Sequence, residues 1–508
     1  MGSRSQNVSR NIKFGLAYKI VTLLLPFLTR TVLLYLLGTT SLGVSTLFTS
    51  ILSFLSLAEL GLGSAVVYTM YKPIAENDLN TLCALLNYYR KLYRLIGLVV
   101  LAIGILISPF LPFLIKGDVP AGLNLYVLYY LYLANSVISY FFAGYRQSLL
   151  TAHQRADIRD KIAMCITVAV RVFEIIVIIL FKNLYLYIIV TIIGTIATNI
   201  ITSAVTKRMF PNIRCKGQVS SDIRLQIRKR LGGLFGTKLN SIVVHQADTL
   251  VISTFLGLTM VAQYGNYYYI LNAISGFVMI LFSSMTASIG NKMATESKDK
   301  VYELFKNINF INYWIVSWCS ICMACLYRPF MLIWVKEELT LPILMSILMA
   351  LYFYVFQIQR TLLTFKDAGG LWYEDRFRPY VSMILNVVSN IILVQFAGIY
   401  GIVISTIIAL MISVPWCNYV VFKYMFNKSA AKNIIDMLTK FAFTIFAGLI
   451  TYSACLFENN GISGLILRAL ICLLLPNVMF FIIYNKKPEF KYMKQITRNF
   501  ITKKRGIS

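Results

Sequence analysis

Apolar residues in this chain do not alternate at the period of a strand. They run in stretches of twenty or more, separated by short polar segments, and the pattern recurs about fourteen times. A helix of twenty residues rises about 30 Å, the depth of a bilayer's hydrocarbon core, so each stretch predicts a membrane-spanning helix. The expected spans are 12–37, 42–71, 89–115, 123–150, 162–181 and 184–205 in the first part of the chain. Those of the second part are 231–256, 260–289, 305–327, 341–364, 380–396, 399–422, 434–457 and 462–484. The fold class this implies is all-α integral membrane. Polar residues precede the first span and no small-residue cleavage site follows it, so that span is expected to be retained.

Charge gives the spans a direction. With both termini assigned to the cytoplasm, 39 of the 48 Lys+Arg fall in the termini and in every second loop, against Lys116, Lys182 and Lys336 on the opposite side. Such asymmetry is how cytoplasmic loops are marked. The net charge of +28 therefore reports orientation and not nucleic-acid binding, which needs a basic water-facing domain. The opposite-side connections, such as 38–41 and 396–398, are too short to fold as domains. Nine Cys lie mostly in spans or cytoplasmic loops, so no disulfide framework is implied.

The longest basic segment divides the chain after six spans, and the next six repeat the first. Leu33-Leu34-Tyr35-Leu36-Leu37-Gly38 leads into a tight turn before span 2, as Ile252-Ser253-Thr254-Phe255-Leu256-Gly257 does before span 8. Leu149-Leu150-Thr151 closes span 4 and Leu362-Leu363-Thr364 closes span 10. Both halves start on the same side, so the expected relation is a pseudo-two-fold along the membrane normal. The organisation that follows is a six-helix bundle over 1–206, a basic cytoplasmic linker over 207–230 and a second six-helix bundle over 231–424. Two extra helices over 425–485 and a basic tail over 486–508 complete it. Paired bundles of this kind suit alternating access.

Arg30 through Gly43, Glu59-Leu60-Gly61-Leu62-Gly63-Ser64-Ala65, and Asp248 through Tyr264 give the chain its family likeness. Over roughly residues 10–485 it resembles the polysaccharide transporter family, the Wzx-type O-antigen, capsule and exopolysaccharide flippases of the multidrug/oligosaccharidyl-lipid/polysaccharide (MOP) exporter superfamily. The resemblance implies a flippase that moves undecaprenyl-pyrophosphate-linked oligosaccharide to the outer leaflet of a bacterial inner membrane, with polysaccharide polymerases as possible partners. It implies no cofactor and no catalytic residue.

Ionised groups inside a span cost about 2.5–3.5 kcal/mol each and need a reason. Arg30 lies eight residues before Gly38, about 12 Å deep. Arg171 and Glu174 sit at i, i+3 in span 5, on one helix face. Asp248 with His245 repeats that spacing in span 7, and Glu59 lies deep in span 2. Guanidinium pairs with phosphate oxygens in a two-pronged geometry that ammonium cannot copy. Arg30 and Arg171 are therefore the expected pyrophosphate contacts, with Lys19 nearer the cytoplasmic entry. Internal pairing is the competing reading, above all for Arg171 with Glu174. Glu174, Asp248 and Glu59 are the candidate carboxylates for coupling to H⁺ or Na⁺.

Three other signals carry less. Cys319, Cys322 and Cys325 have iron–sulfur spacing, but the fourth position holds Pro329 and the run lies in a span, so packing is expected and no metal site. Tyr264, Tyr267, Tyr268 and Tyr269 read as an interfacial belt. Gly61-Leu62-Gly63-Ser64 permits a bend or close helix contact and lacks the strand and Lys of a phosphate loop. The alternative functions are a cation-coupled drug exporter, which would favour an acidic cavity, and a lipid II flippase. A membrane polymerase or ligase would need a large outer loop, which the chain lacks.

Overall fold

The computed structural model describes residues 4–59, 62–117, 119–120, 122–142, 144–457 and 461–505. Among them every regular element is helical. Ten helices are long and apolar enough to cross a membrane, or eleven if one bent pair counts as a single span. Their surfaces carry Phe113, Phe181, Phe396, Leu449, Leu474 and Ile482 more than half exposed. Apolar faces on this scale are stable against lipid tails and not against water. The chain is a multi-pass membrane protein, and by its contacts it forms two compact units, Met1–Ala262 and Gln263–Ser508.

In the first unit, α1 (Arg4–Leu55) covers the first expected span and enters the second, with its break at Gly38 (φ 82°, ψ 172°). Only glycine adopts that backbone without strain, so the predicted turn is a sharp kink within one continuous helical run. A 3₁₀ turn at Ser56–Glu59 then precedes α2 (Leu62–Ala75), so the second expected span is built from more than one element. Next come α3 (Leu79–Ile107), α4 (Leu125–Phe141), α5 (Gln147–Ala152), α6 (Ala156–Phe181), α7 (Leu184–Met209) and α8 (Ser221–Leu256). The α4–α5 pair is the bent one, at 48°.

Polar side chains start these helices where the chain emerges from the apolar stretches. Asp78, Asn124, Asn183 and Ser220 each accept a hydrogen bond from a first-turn amide of α3, α4, α7 and α8. The Asn124 amide also donates to the Tyr185 hydroxyl at 2.6 Å, tying two of these caps together.

The glycines of the family-like segments are points of close approach. Gly257 closes α8 in nearly the conformation of Gly38 (φ 89°, ψ 175°), with its amide on the Ile252 carbonyl at 3.0 Å. Here Lys116 donates its amide to Ser253 O at 3.0 Å, and Ser253 Oγ donates to Leu114 O at 2.6 Å. A Cβ on Gly257 would lie 2.8 Å from Lys116 O, and one on Gly43 would lie 2.2 Å from Leu258 O.

The basic segment expected over 207–230 is largely ordered. α7 runs on to Met209 and α8 begins at Ser221, ten residues before the expected span. Phe210, Ile213 and Val219 are buried against α2, α3 and α5, and Asn87 Nδ2 donates to Gly217 O at 2.9 Å. Apolar residues dispersed among the charges explain why it docks.

In the second unit, α9 (Leu258–Thr295) continues from the first. It is followed by α10 (Lys298–Val335), α11 (Ile343–Ile358), α12 (Arg360–Ala368), α13 (Arg378–Val421), α14 (Ala431–Ala454), α15 (Ile462–Tyr484) and α16 (Pro488–Arg505). α13 spans two expected crossings and breaks at Gly398 (φ 54°, ψ −131°), where a turn was expected. The break between α11 and α12 frees carbonyls, and buried Asn312 of α10 satisfies two of them, donating to Gln357 O at 3.0 Å and Ile358 O at 3.1 Å. Tyr264 and Tyr267, read from sequence as belt residues, are instead buried. Tyr267 stacks on Tyr327 at 5.3 Å and accepts from the Leu341 amide, so packing within the unit claims the ring that lipid headgroups were expected to hold.

Candidate functional site

The densest polar cluster inside the first unit is built by α6 and α7. Arg171 Nη1 donates to Glu174 Oε2 at 2.6 Å, one turn along α6. Thr191 of α7 donates to the other oxygen, Oε1, at 2.7 Å, so both oxygens of a fully buried carboxylate are engaged. Tyr187 lies one turn before Thr191, and its hydroxyl meets the fields of Glu174, Arg171 and Arg30. Beside them, Tyr132 of α4 donates to Ser45 Oγ of α1 at 2.8 Å, and Thr195 donates to Asn135 Oδ1 at 2.8 Å. Four helices thus contribute polar groups to one region of an otherwise apolar bundle.

The pairing of Arg171 with Glu174 is real but incomplete. Glu174 takes one nitrogen of the guanidinium, and Nε is buried with no hydrogen-bond partner among the described residues. The arginine side chain keeps 24% exposure while its partner has none. A guanidinium that gives one nitrogen to its carboxylate partner keeps donors for other acceptors.

Arg30 is half-buried in α1 and donates to Ala262 O at 3.3 Å. Arg171, Glu174 and Thr191 meet at one place, which spacing along the chain does not reveal. Asp248 is buried in α8, which packs on α1. Lys19 is exposed on α1 and no described contact joins it to the cluster. The side chain of His245 lies outside the described residues.

Glu59 occupies a separate site at the end of the 3₁₀ turn, under three tyrosines. Tyr93 donates its hydroxyl to the carboxylate. Its ring packs edge-on against Tyr89 at 4.8 Å and Tyr140 at 5.4 Å.

Sequence reasoning missed Tyr187 and Thr191, although their i, i+4 spacing opposite the Arg171–Glu174 face is a usable signal. It also missed a buried charge group in the second unit. There Asp375 accepts from Lys366 Nζ at 2.9 Å and from Arg378 Nε and Nη2, both at 2.7 Å. Their loop position gave them the look of ordinary solvated charges.

A family model described as polysaccharide biosynthesis protein matches residues 8–289. No curated protein matches the chain. Among solved structures, the lipid II flippase MurJ in an inward closed conformation is similar with a TM-score of 0.67 and 15% identity, over 92% of this chain and 99% of that one. The inward-facing conformation of a multidrug resistance MATE family transporter of the MOP superfamily gives 0.63 and 16%, over 77% and 91%. A mutant of the Vibrio cholerae MATE transporter VcmN gives 0.56 and 15%, over 84% and 98%. At these identities the likeness is one of fold.

Proposed function

The chain belongs to the polysaccharide biosynthesis protein family, and from that premise we propose that it is a flippase for polyprenyl-pyrophosphate-linked oligosaccharide, acting by alternating access in surface polysaccharide biosynthesis. Its fold is similar to that of MOP-superfamily members, and the proposed activity is transport and not catalysis. The reading includes fourteen crossings, which adds α8 to the eleven candidate spans and counts α1 and α13 as two each, both termini in the cytoplasm of a bacterium, and a pseudo-two-fold between the bundles 1–206 and 231–424. The shared backbone geometry of Gly38 and Gly257 supports that repeat.

The observation that carries the proposal is the half-used guanidinium of Arg171. Glu174 anchors one nitrogen while the side chain keeps 24% exposure, so an entering pyrophosphate would find a cation already oriented. Transfer of a phosphate into an apolar bundle is costly unless such a donor is in place. Arg30 is the second head-group contact proposed, and Lys19 is an entry-side contact. Glu174, Asp248 and Glu59 are the carboxylates proposed for coupling to H⁺ or Na⁺. A drug exporter selecting cations would be ill served by two arginines in this region.

The test is translocation of a fluorescent undecaprenyl-pyrophosphate oligosaccharide in proteoliposomes, comparing wild type with Arg171→Lys and Arg30→Lys. Translocation by wild type and its loss in either variant, with an unchanged thermal unfolding transition, is the expected result. Wild-type uptake of a cationic dye without lipid translocation would move the protein to the exporter branch. Translocation of lipid II alone would reassign the substrate.

A further inference from the structure

In the second unit, three cysteines far apart in sequence meet in space. Cys325 of α10, Cys455 at the end of α14 and Cys472 of α15 are all buried, and their Sγ atoms all lie within 4.8 Å of one another. Cys325 is the last of the three cysteines at iron–sulfur spacing, and the fold breaks that set up. Cys319 is not part of the cluster, whereas Cys322, one turn before Cys325, directs its Sγ to Cys472 O at 3.9 Å.

Two further observations distinguish this cluster from ordinary thiol packing. Arg468, on the same helix as Cys472, is buried beside it, donating from Nε to Cys455 O at 3.1 Å and from Nη2 to Phe457 O at 2.8 Å. The guanidinium therefore lies at the Cys455 end of the cluster. A cavity of about 380 Å³ also reaches the cluster, and Cys325, Cys455, Arg328 and Arg468 line it. A void there gives small solutes a route to the sulfurs, which close packing alone would have filled.

We propose that Cys325, Cys455 and Cys472 form a three-thiolate site for a thiophilic divalent cation of the Zn²⁺ class, with its fourth position open to this cavity. A trigonal or tetrahedral ion with metal–sulfur bonds of about 2.3 Å needs sulfurs roughly 4 Å apart, within the separation found. Zn²⁺ with three thiolates carries a net −1, which the Arg468 guanidinium beside the cluster offsets. Binding releases up to three thiol protons to solvent, so affinity falls as pH falls. The inference does not rest on the flippase reading, because the site involves none of the residues assigned to transport.

The experiment uses the full chain purified in detergent without a polyhistidine tag. Cd²⁺ serves as the spectroscopic probe through its thiolate charge-transfer absorption, and Zn²⁺ is titrated in competition with it. One equivalent of Cd²⁺ displaceable by Zn²⁺ is expected, with binding weakened at least tenfold in C325S, C455S and C472S and unchanged in C417S, a buried cysteine elsewhere in the unit. If a variant fails to fold, alkylation of the wild type followed by mass spectrometry decides the matter. Zn²⁺ should then shield Cys325, Cys455 and Cys472 selectively. Absence of stoichiometric binding, equal alkylation with and without Zn²⁺, or uptake of Cu⁺ but not of Zn²⁺ or Cd²⁺ would each overturn the proposal.

Discussion

Replacing Asp375 by Asn removes a single negative charge that holds two buried cations. Lys366 is 2% exposed, Asp375 2% and Arg378 7%, so none of the three is rescued by water. Asp375 accepts three hydrogen bonds from the two cations at 2.7–2.9 Å. Nothing of the same strength replaces it. Asp367 lies 3.5 Å from Lys366 but its side chain is half exposed, and Ser413 offers Arg378 Nη1 only a neutral hydroxyl at 2.8 Å. Stranding a buried charge by removing its partner costs about 3–5 kcal/mol. For a unit of this size that corresponds to a fall of roughly 10 °C in Tm. Tryptophan fluorescence on heating the protein in detergent reads it directly. Asp299→Asn, which breaks the exposed 2.9 Å pair with Lys428, is the control and should leave Tm nearly unchanged. Adding Lys366→Met to Asp375→Asn removes one of the stranded cations and should recover a substantial part of the loss, since the two sites are coupled. A Tm for Asp375→Asn equal to that of Asp299→Asn would refute the burial argument.

Three further predictions rest on other parts of the structure. Gly43→Ala places a methyl 2.2 Å from a backbone oxygen of Leu258, which cannot swing aside as a side chain would, so loss of about 3 kcal/mol or failure to yield monodisperse protein is expected on gel filtration. Glu59→Gln keeps an acceptor for Tyr93 but cannot exchange a proton. It should fold normally and abolish any dependence of transport on a pH gradient, and an unaltered dependence would remove Glu59 from the coupling path. His153 packs on Phe210 with ring centroids 4.1 Å apart, and burial holds its imidazole below the usual pKa. Its folded form therefore resists protonation that the unfolded chain accepts from about pH 6.5 downward, so stability should fall as pH drops from there towards the folded pKa. In His153→Phe that slope should disappear from a series of thermal melts between about pH 8 and pH 5.

The membrane character of this chain and the positions of its breaks were legible in the sequence because each depends on local composition. A run of twenty apolar residues must bury its own backbone hydrogen bonds as a helix wherever it sits, and the turns at Gly38 and Gly398 fall where glycine follows such a run. Arg171 and Glu174 were legible as a pair for the same reason, since i, i+3 spacing fixes a helix face without reference to anything else. What pairs across helices was not. Thr191 completes the Glu174 carboxylate from α7, Arg30 reaches the Ala262 carbonyl, and Asp375 turns two cations into a buried triad. The three clustered thiols are the sharpest case, because the meaningful neighbours of Cys325 are 130 and 147 positions away and the near ones are incidental. Helix formation is a property of contiguous residues, whereas a site is made by which faces meet. In a bundle whose every face is apolar, composition says little about that meeting, and only tertiary packing decides it.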